Sequence, residues 1–237
     1  MGVMNITPDS FSDGGEFDLS RLSFPVDAWD IGAESTAPMN AAISADEEWK
    51  RIEPHLPSLL KIPLLSLDTY HPENIFRMAA LRKDLIWNDV SGKFDQHVEN
   101  FLSLDSTFQY VLCHNHAPTR ELTGRHMDYV LGTSLETLTA FFLKYKHPRV
   151  IFDPCLGFSK SFEENWMILD NMGELQKRVA HKRWLVGFSR KSFLRKKFGV
   201  DLSDREKLDQ IHIQVLSEVL AEMHGEVWVR THRPELL

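Results

Sequence analysis

Eight short apolar runs of strand length punctuate the chain, and most of the stretches between them carry helical periodicity. That alternation is the pattern of strands and crossover helices in a parallel sheet, and the number of runs decides which sheet. The runs are Gly2 to Met4, Ala28 to Ile31, Pro63 to Leu67, Leu85 to Trp87, Tyr110 to Cys113, Arg149 to Phe152, Trp184 to Val186 and Val227 to Val229. Polar residues able to do chemistry follow each one: Asn5; Glu34 with Ser35 and Thr36; Asp68; Asn88 and Asp89; His114; Asp153; Ser189, Arg190 and Lys191; Arg230 and His232. Strands ended in this way predict an α/β chain folded as a (β/α)8 TIM barrel, with its site on the C-terminal rim of the strands.

No low-complexity tract, long charge block or linker interrupts the sequence, so residues 1–237 are expected to form a single domain. With 43% hydrophobic and 26% charged side chains, the chain can bury one large core. Its 27 lysines and arginines against 34 acids leave a net charge of −7. That balance argues against a nucleic-acid partner held by bulk electrostatics, and requires any anionic ligand to be gripped locally. No run approaches the roughly 20 consecutive apolar residues of a membrane span. The opening MGVMNITPDS also lacks the layout of a secretion signal, so no membrane partner is expected and the expected location is cytoplasmic. Cys113 and Cys155 lack the spacing of a zinc or redox motif and are expected to be buried as small hydrophobes.

Several helices are readable. Ser203-Asp-Arg-Glu predicts a capping box with Ser203 as N-cap and Glu206 three residues on, opening an apolar-striped helix that stops before Gly225. Ser44 to Leu60 has an acidic first turn, but Pro54 and Pro57 should break it. Thr133 to Tyr145 carries the stripe of a barrel-facing helix. Two places depart from a complete barrel. Only Glu16 to Asp27 separate the first rim loop from the second strand, and Thr231 to Leu237 leave no room for a normal helix after the eighth. A shortened first helix and a truncated or missing eighth would uncover the wall around strands 8, 1 and 2, and a homodimer is the expected cover.

The first loop offers Asn5, Thr7, Asp9, Ser10, Ser12 and Asp13 with two glycines. Hard oxygens in such a loop suit Mg2+ and a phosphate-bearing substrate, and they equally suit an Asx-rich turn with no ligand. On these residues the chain resembles dihydropteroate synthase, the folate-pathway family, along nearly its whole length and in the right order. MGVMNITPDSFSDGG resembles that family's first loop, DIGAESTAP its second, LSLDTYHPE its third strand end and IWNDVSG its fourth. FDPCLGFSKSFEENWMIL is similar to its sixth strand and loop, VGFSRKSFL to its seventh and VRTHR to its eighth.

The resemblance implies condensation of 6-hydroxymethyl-7,8-dihydropterin diphosphate with 4-aminobenzoate, giving 7,8-dihydropteroate and pyrophosphate. It assigns Asp68, Asn88 and Asp153 to the pterin edge, Lys191 to a place beside the pterin as a positive charge, and Arg230 and His232 to the leaving phosphates, with Phe158 and Thr36 also binding substrate. Asn5, with Asp9 as a second candidate ligand, would hold Mg2+, and Asn5, Asp68, Asp153 and Lys191 form the catalytic set. Taken alone, each carboxylate also fits a helix N-cap or turn; three on separate strand ends favour a site.

The second loop reads Glu34-Ser35-Thr36-Ala37-Pro38-Met39 where the family usually has Glu-Ser-Thr-Arg-Pro-Gly, so a cation beside the anionic cosubstrate is missing. The fifth strand end reads His114-Asn-His-Ala-Pro in place of His-Met-Gln-Gly, and Arg233-Pro234 follows Arg-x-His in place of the usual Asp. His114 and His116 are expected to pack or line the site, since no third metal ligand accompanies them. Two alternatives follow: a non-catalytic pterin-binding paralogue, and a pterin-dependent methyltransferase barrel, which would have no need of the Asn5 to Gly15 loop.

Overall fold

The computed structural model describes residues 1–7, 19–34, 42–115, 117, 132–201 and 203–237. Among them run the strands β1 (Gly2–Asn5), β2 (Trp29–Gly32), β3 (Leu65–Asp68), β4 (Leu85–Asp89), β5 (Gln109–Cys113), β6 (Val150–Asp153), β7 (Arg183–Val186) and β8 (Glu226–Val229), each within two residues of the run that predicts it. They pair in parallel in the order β1 to β8. The ring closes between β8 and β1. The Met1 amine donates to Val229 O at 3.0 Å, Thr231 N–H to Met1 O at 3.1 Å and Val3 N–H to Thr231 O at 2.9 Å. The fold is the expected (β/α)8 barrel.

Period-two alternation divides each strand between two cores. Leu85 and Trp87, Tyr110 and Leu112, Val150 and Phe152, and Trp184 and Val186 point outward into a shell packed against the helices. Ile86, Val111, Ile151 and Leu185 fill the barrel interior. Asn88 and Asp153 follow Ile86 and Ile151 by two residues, so the same alternation lifts them onto the inner rim above that plug.

The helices wrap the outer shell. α1 (Ala45–Ile52) starts at Ser44, whose Oγ accepts from Glu47 N–H at 3.2 Å. Pro54 and Pro57 break the segment, as expected, into a 3-10 turn at Glu53–His55 and the short α2 (Leu56–Leu59). There follow α3 (Pro72–Ala79), α4 (Gln96–Leu104), α5 (Leu135–Phe142), α6 (Phe162–Leu169), α7 (Met172–Val179), α8 (Ser192–Phe198) and α9 (Arg205–Ala221). The cap of α9 is displaced from its expected place. Asp204, not Ser203, accepts from Lys207 N–H, because Asp201 Oδ1 engages both the N–H and the hydroxyl of Ser203 in a local turn.

The described residues between β1 and β2 form only a 3-10 turn, Leu19–Ser23, and β8 is followed by another, Pro234–Leu236. Val227, Trp228 and Val229 of β8 remain half-buried.

Candidate active site

A cleft of about 430 Å3 opens at the C-terminal rim. Every expected site residue that is described lines it: Asn5, Asp68, Asn88 and Asp153 from the first, third, fourth and sixth strands, and Phe158, Lys191, Arg230 and His232 from the later loops. Asp9 and Thr36 lie outside the described residues, as do Ala37, Met39 and His116.

The site is organised around Asp30, a β2 residue that the sequence reading passes over. Fully buried, it accepts from Ser66 Oγ at 2.5 Å, from Asn88 Nδ2 at 3.1 Å and from Arg230 Nε at 2.6 Å. Arg230 reaches on to Asp68 Oδ2 with Nη2 at 2.7 Å. One guanidinium thereby ties β8 to β2 and β3, and fixes which faces of Asn88 and Asp68 meet the cleft. Burial opposes the charge of Arg230, but Asp30 and Asp68 more than offset it and hold the group protonated. Burial pushes Asp68 up to about 7, against the pull of Arg230.

On the opposite wall, Asp153 Oδ1 accepts from Cys155 N–H at 2.7 Å, and Oδ2 lies 3.7 Å from the Cys113 sulfur. Burial raises its pKa. The loop after β6 is pinned by the buried Lys160, whose Nζ donates to His114 O at 2.7 Å and to Cys155 O and Phe158 O at 3.2 Å each. Asn165 of α6 accepts from Gly157 N–H at 2.6 Å. Gly157 is required twice: its φ is +79°, and a Cβ there would lie 2.7 Å from Lys191 Cδ. Lys191 crosses that gap and sets its Nζ 3.5 Å from the Phe158 ring centroid. Burial lowers its pKa to about 8.

His232 Nδ1 sits 3.2 Å from Ser189 Oγ. Burial, and after it the nearby Arg190, Arg230 and Lys191, hold this ring down to about 3, so it is neutral. Arg190, which also lines the cleft, reaches Asp209 at 4.0 Å. His114 is fully buried with its ring edge-on to Phe141 at 4.9 Å, in keeping with a packing role. Cys113 and Cys155 are free and buried, as expected, but they also form part of the cleft floor.

The cleft thus offers carboxylate and amide oxygens to a ring bearing N–H and amino donors, and fixed cations to an anionic group. Of the residues missed from sequence, Asp30 had a faint signal: in Trp29-Asp30-Ile31 alternation turns the acid inward between two outward apolar residues. Lys160 had none, because its partners are backbone carbonyls.

A family model described as "Pterin binding enzyme" matches residues 1–232. The mitochondrial folate synthesis bifunctional protein of Pisum sativum is 32% identical over 98% of this chain and 50% of its own length, and the dihydropteroate synthase of Staphylococcus haemolyticus is 28% identical over 100% and 90%. The chain spans about half the length of the plant relatives it matches. Among solved structures, dihydropteroate synthase from Anaplasma phagocytophilum with bound 6-hydroxymethylpterin-monophosphate superposes with a TM-score of 0.76 at 28% identity, over 98% of this chain and 92% of that one. The Thermus thermophilus enzyme in complex with 4-aminobenzoate does so at 0.76 and 26%, over 100% and 91%.

Proposed function

The chain belongs to the family of pterin-binding enzymes, and we infer that within it the chain acts as a dihydropteroate synthase, a transferase that joins 4-aminobenzoate to 6-hydroxymethyl-7,8-dihydropterin diphosphate with loss of pyrophosphate. The observation that carries this reading is the gathering of Asp153 and Asn88 with Lys191, Arg230 and His232 in one cleft. Relatives named for this activity that match over most of their length support it, as do similar structures bound to a pterin phosphate and to 4-aminobenzoate.

In this reading Asp153 accepts hydrogen bonds from the pterin amino and ring N–H groups. Asn88 gives one amide hydrogen to Asp30, so its carbonyl oxygen is held in a fixed direction for the ring. Arg230 and Lys191 hold the diphosphate, and neutral His232 adds an N–H donor to the leaving phosphates. The C–O bond breaks first, the pterin methylene becomes cationic, and the aminobenzoate nitrogen attacks it, so no protein nucleophile is needed. The side chains position the reactants and stabilise the departing anion.

Mg2+ is proposed as the cofactor. Asn5 stands exposed at the end of β1, with Oδ1 3.2 Å from where a Cβ on Gly32 would sit, so an amide oxygen leans over the cleft. A single protein oxygen fits an ion that keeps several waters and takes its other ligands from phosphate. Asp9, the second proposed ligand, is not among the described residues. When bound, Mg2+ neutralises charge on the departing pyrophosphate.

Pyrophosphate release and dihydropteroate formation by the purified chain with Mg2+ and both substrates test the reading. One specific feature favours the non-catalytic alternative: Ala37 stands where the family usually has arginine. Calorimetric pterin binding without turnover would establish that alternative.

A homodimer through the wall around β8, β1 and β2 belongs to the same proposal, supported by half-buried β8 and exposed Leu19, Phe24 and Leu236 in the two 3-10 segments and their flanks. A strictly monomeric, folded chain in light scattering would contradict it. No helix among the described residues is long and apolar enough to cross a membrane. Cytoplasmic location is proposed with the free cysteines as support, since they suit a reducing compartment, and cell fractionation tests it.

A further inference from the structure

The floor of the cleft holds a donor set of a different kind from the hard oxygen of Asn5. Cys113 ends β5 as the register partner of Asp153 on β6. Two residues beyond Asp153, Cys155 adopts φ +58°, a left-handed conformation that glycine takes up more readily than any other residue. With its N–H on Asp153 Oδ1, that turn leaves one ligand atom from each of Cys113, Asp153 and Cys155 within 4.8 Å of the other two, all three residues being buried.

We propose that Cys113, Asp153 and Cys155 form a binding site for a thiophilic divalent ion, Zn2+ above all, whose occupancy excludes the pterin by claiming Asp153. The geometry is close to what such an ion requires. Zinc holds sulfur at about 2.3 Å and oxygen at about 2.0 Å, so in a tetrahedron the two lie about 3.5 Å apart. Cys113 Sγ and Asp153 Oδ2 are 3.7 Å apart. Two sulfurs and one oxygen make three protein ligands, and because all three residues line the cleft, the fourth position opens toward it. Soft sulfur selects zinc and cadmium over Mg2+, so the two kinds of ion do not compete for one site. Binding releases the thiol protons of Cys113 and Cys155 and changes no oxidation state. The resulting negative charge lies beside cations, with the Nζ of buried Lys160 already 3.2 Å from Cys155 O.

The exclusion of pterin rests on the role given to Asp153 above; the binding of metal does not. Titration of the full chain with Co2+ and with Cd2+ should give one bound ion and a sulfur-to-metal charge-transfer band, and competition should rank Zn2+ tighter than Co2+. The variant C155G removes a thiol where glycine suits the backbone, and C113S removes the other. Each should lower Zn2+ affinity by roughly 100-fold or more, beyond the usual 10–100-fold cost of losing an outer-shell partner. Calorimetry with 6-hydroxymethylpterin monophosphate should show binding weakened by Zn2+ in the parent chain and indifferent to it in C155G. Absence of the charge-transfer band, or equal zinc affinity in the parent and both variants, overturns the site. A band that the variants abolish, in a chain with no synthase turnover, would uphold the site while removing the proposed function.

Discussion

Arg230 Nε donates to Asp30 Oδ2 at 2.6 Å, joining residues 200 positions apart in sequence across the point where the barrel closes. The contact makes Asp30 a positioning residue: it does not face the proposed ligand but aims both Arg230 and Asn88, which do. D30N keeps the volume and removes the charge that offsets a buried guanidinium. Losing a charged hydrogen bond costs about 2 kcal/mol, equivalent to roughly 30-fold in affinity. Calorimetry should show weaker pterin-diphosphate binding of that order, with a cooperative fold retained because Asp68 still pairs with Arg230.

Lys191 gives the pH dependence its sign. Burial lowers its pKa to about 8, so the cation is present below that value and is lost as pH rises through it. kcat/KM for the pterin diphosphate should therefore fall above pH 8, approaching about tenfold per unit. In K191R, whose guanidinium stays charged, the basic limb should disappear even if the maximal rate is lower. A limb unchanged in K191R would assign it to another group. His232, held neutral down to about 3, should add no acid limb near neutrality.

Asp153 and Asn5 are predicted to fail differently. D153N exchanges an acceptor-only carboxylate for an amide that presents N–H to ring donors, so pterin binding should drop at least about 100-fold with or without Mg2+. N5A should leave the Mg2+-free affinity for pterin monophosphate nearly intact, and should raise the Mg2+ concentration needed for half-maximal turnover about tenfold or more. Equal losses in both measurements for both variants would contradict the division of roles.

The strands were legible because both of their faces are buried: a run such as Leu85-Ile86-Trp87 must be apolar throughout, and the first polar residue after it marks the rim. Asp68, Asn88 and Asp153 were found by that logic. Asp30 was not, because it lies inside an apolar strand and its partners Ser66, Asn88 and Arg230 are far off in sequence. The two cysteines were hidden for the same reason, since only the pairing of β5 with β6 brings Cys113 to Asp153 and Cys155. Local competition explains the displaced cap of α9, where Asp201 captures Ser203 before the helix begins.

Gly157 provides a test in which backbone and site are separable. Its φ of +79° disfavours any side chain, and an added Cβ would stand 2.7 Å from Lys191 Cδ. The conformational cost of G157A is about 1 kcal/mol, and a further loss comes from moving Lys191 away from the Phe158 ring. Thermal unfolding should register a modest drop, a few degrees for a chain of this size. Affinity for the pterin diphosphate should fall about tenfold, whereas binding of unphosphorylated pterin, which relies on Asp153 and Asn88, should change by much less. If both ligands weakened equally, the whole β6 loop would have moved, and Lys191 would not be the group through which Gly157 acts.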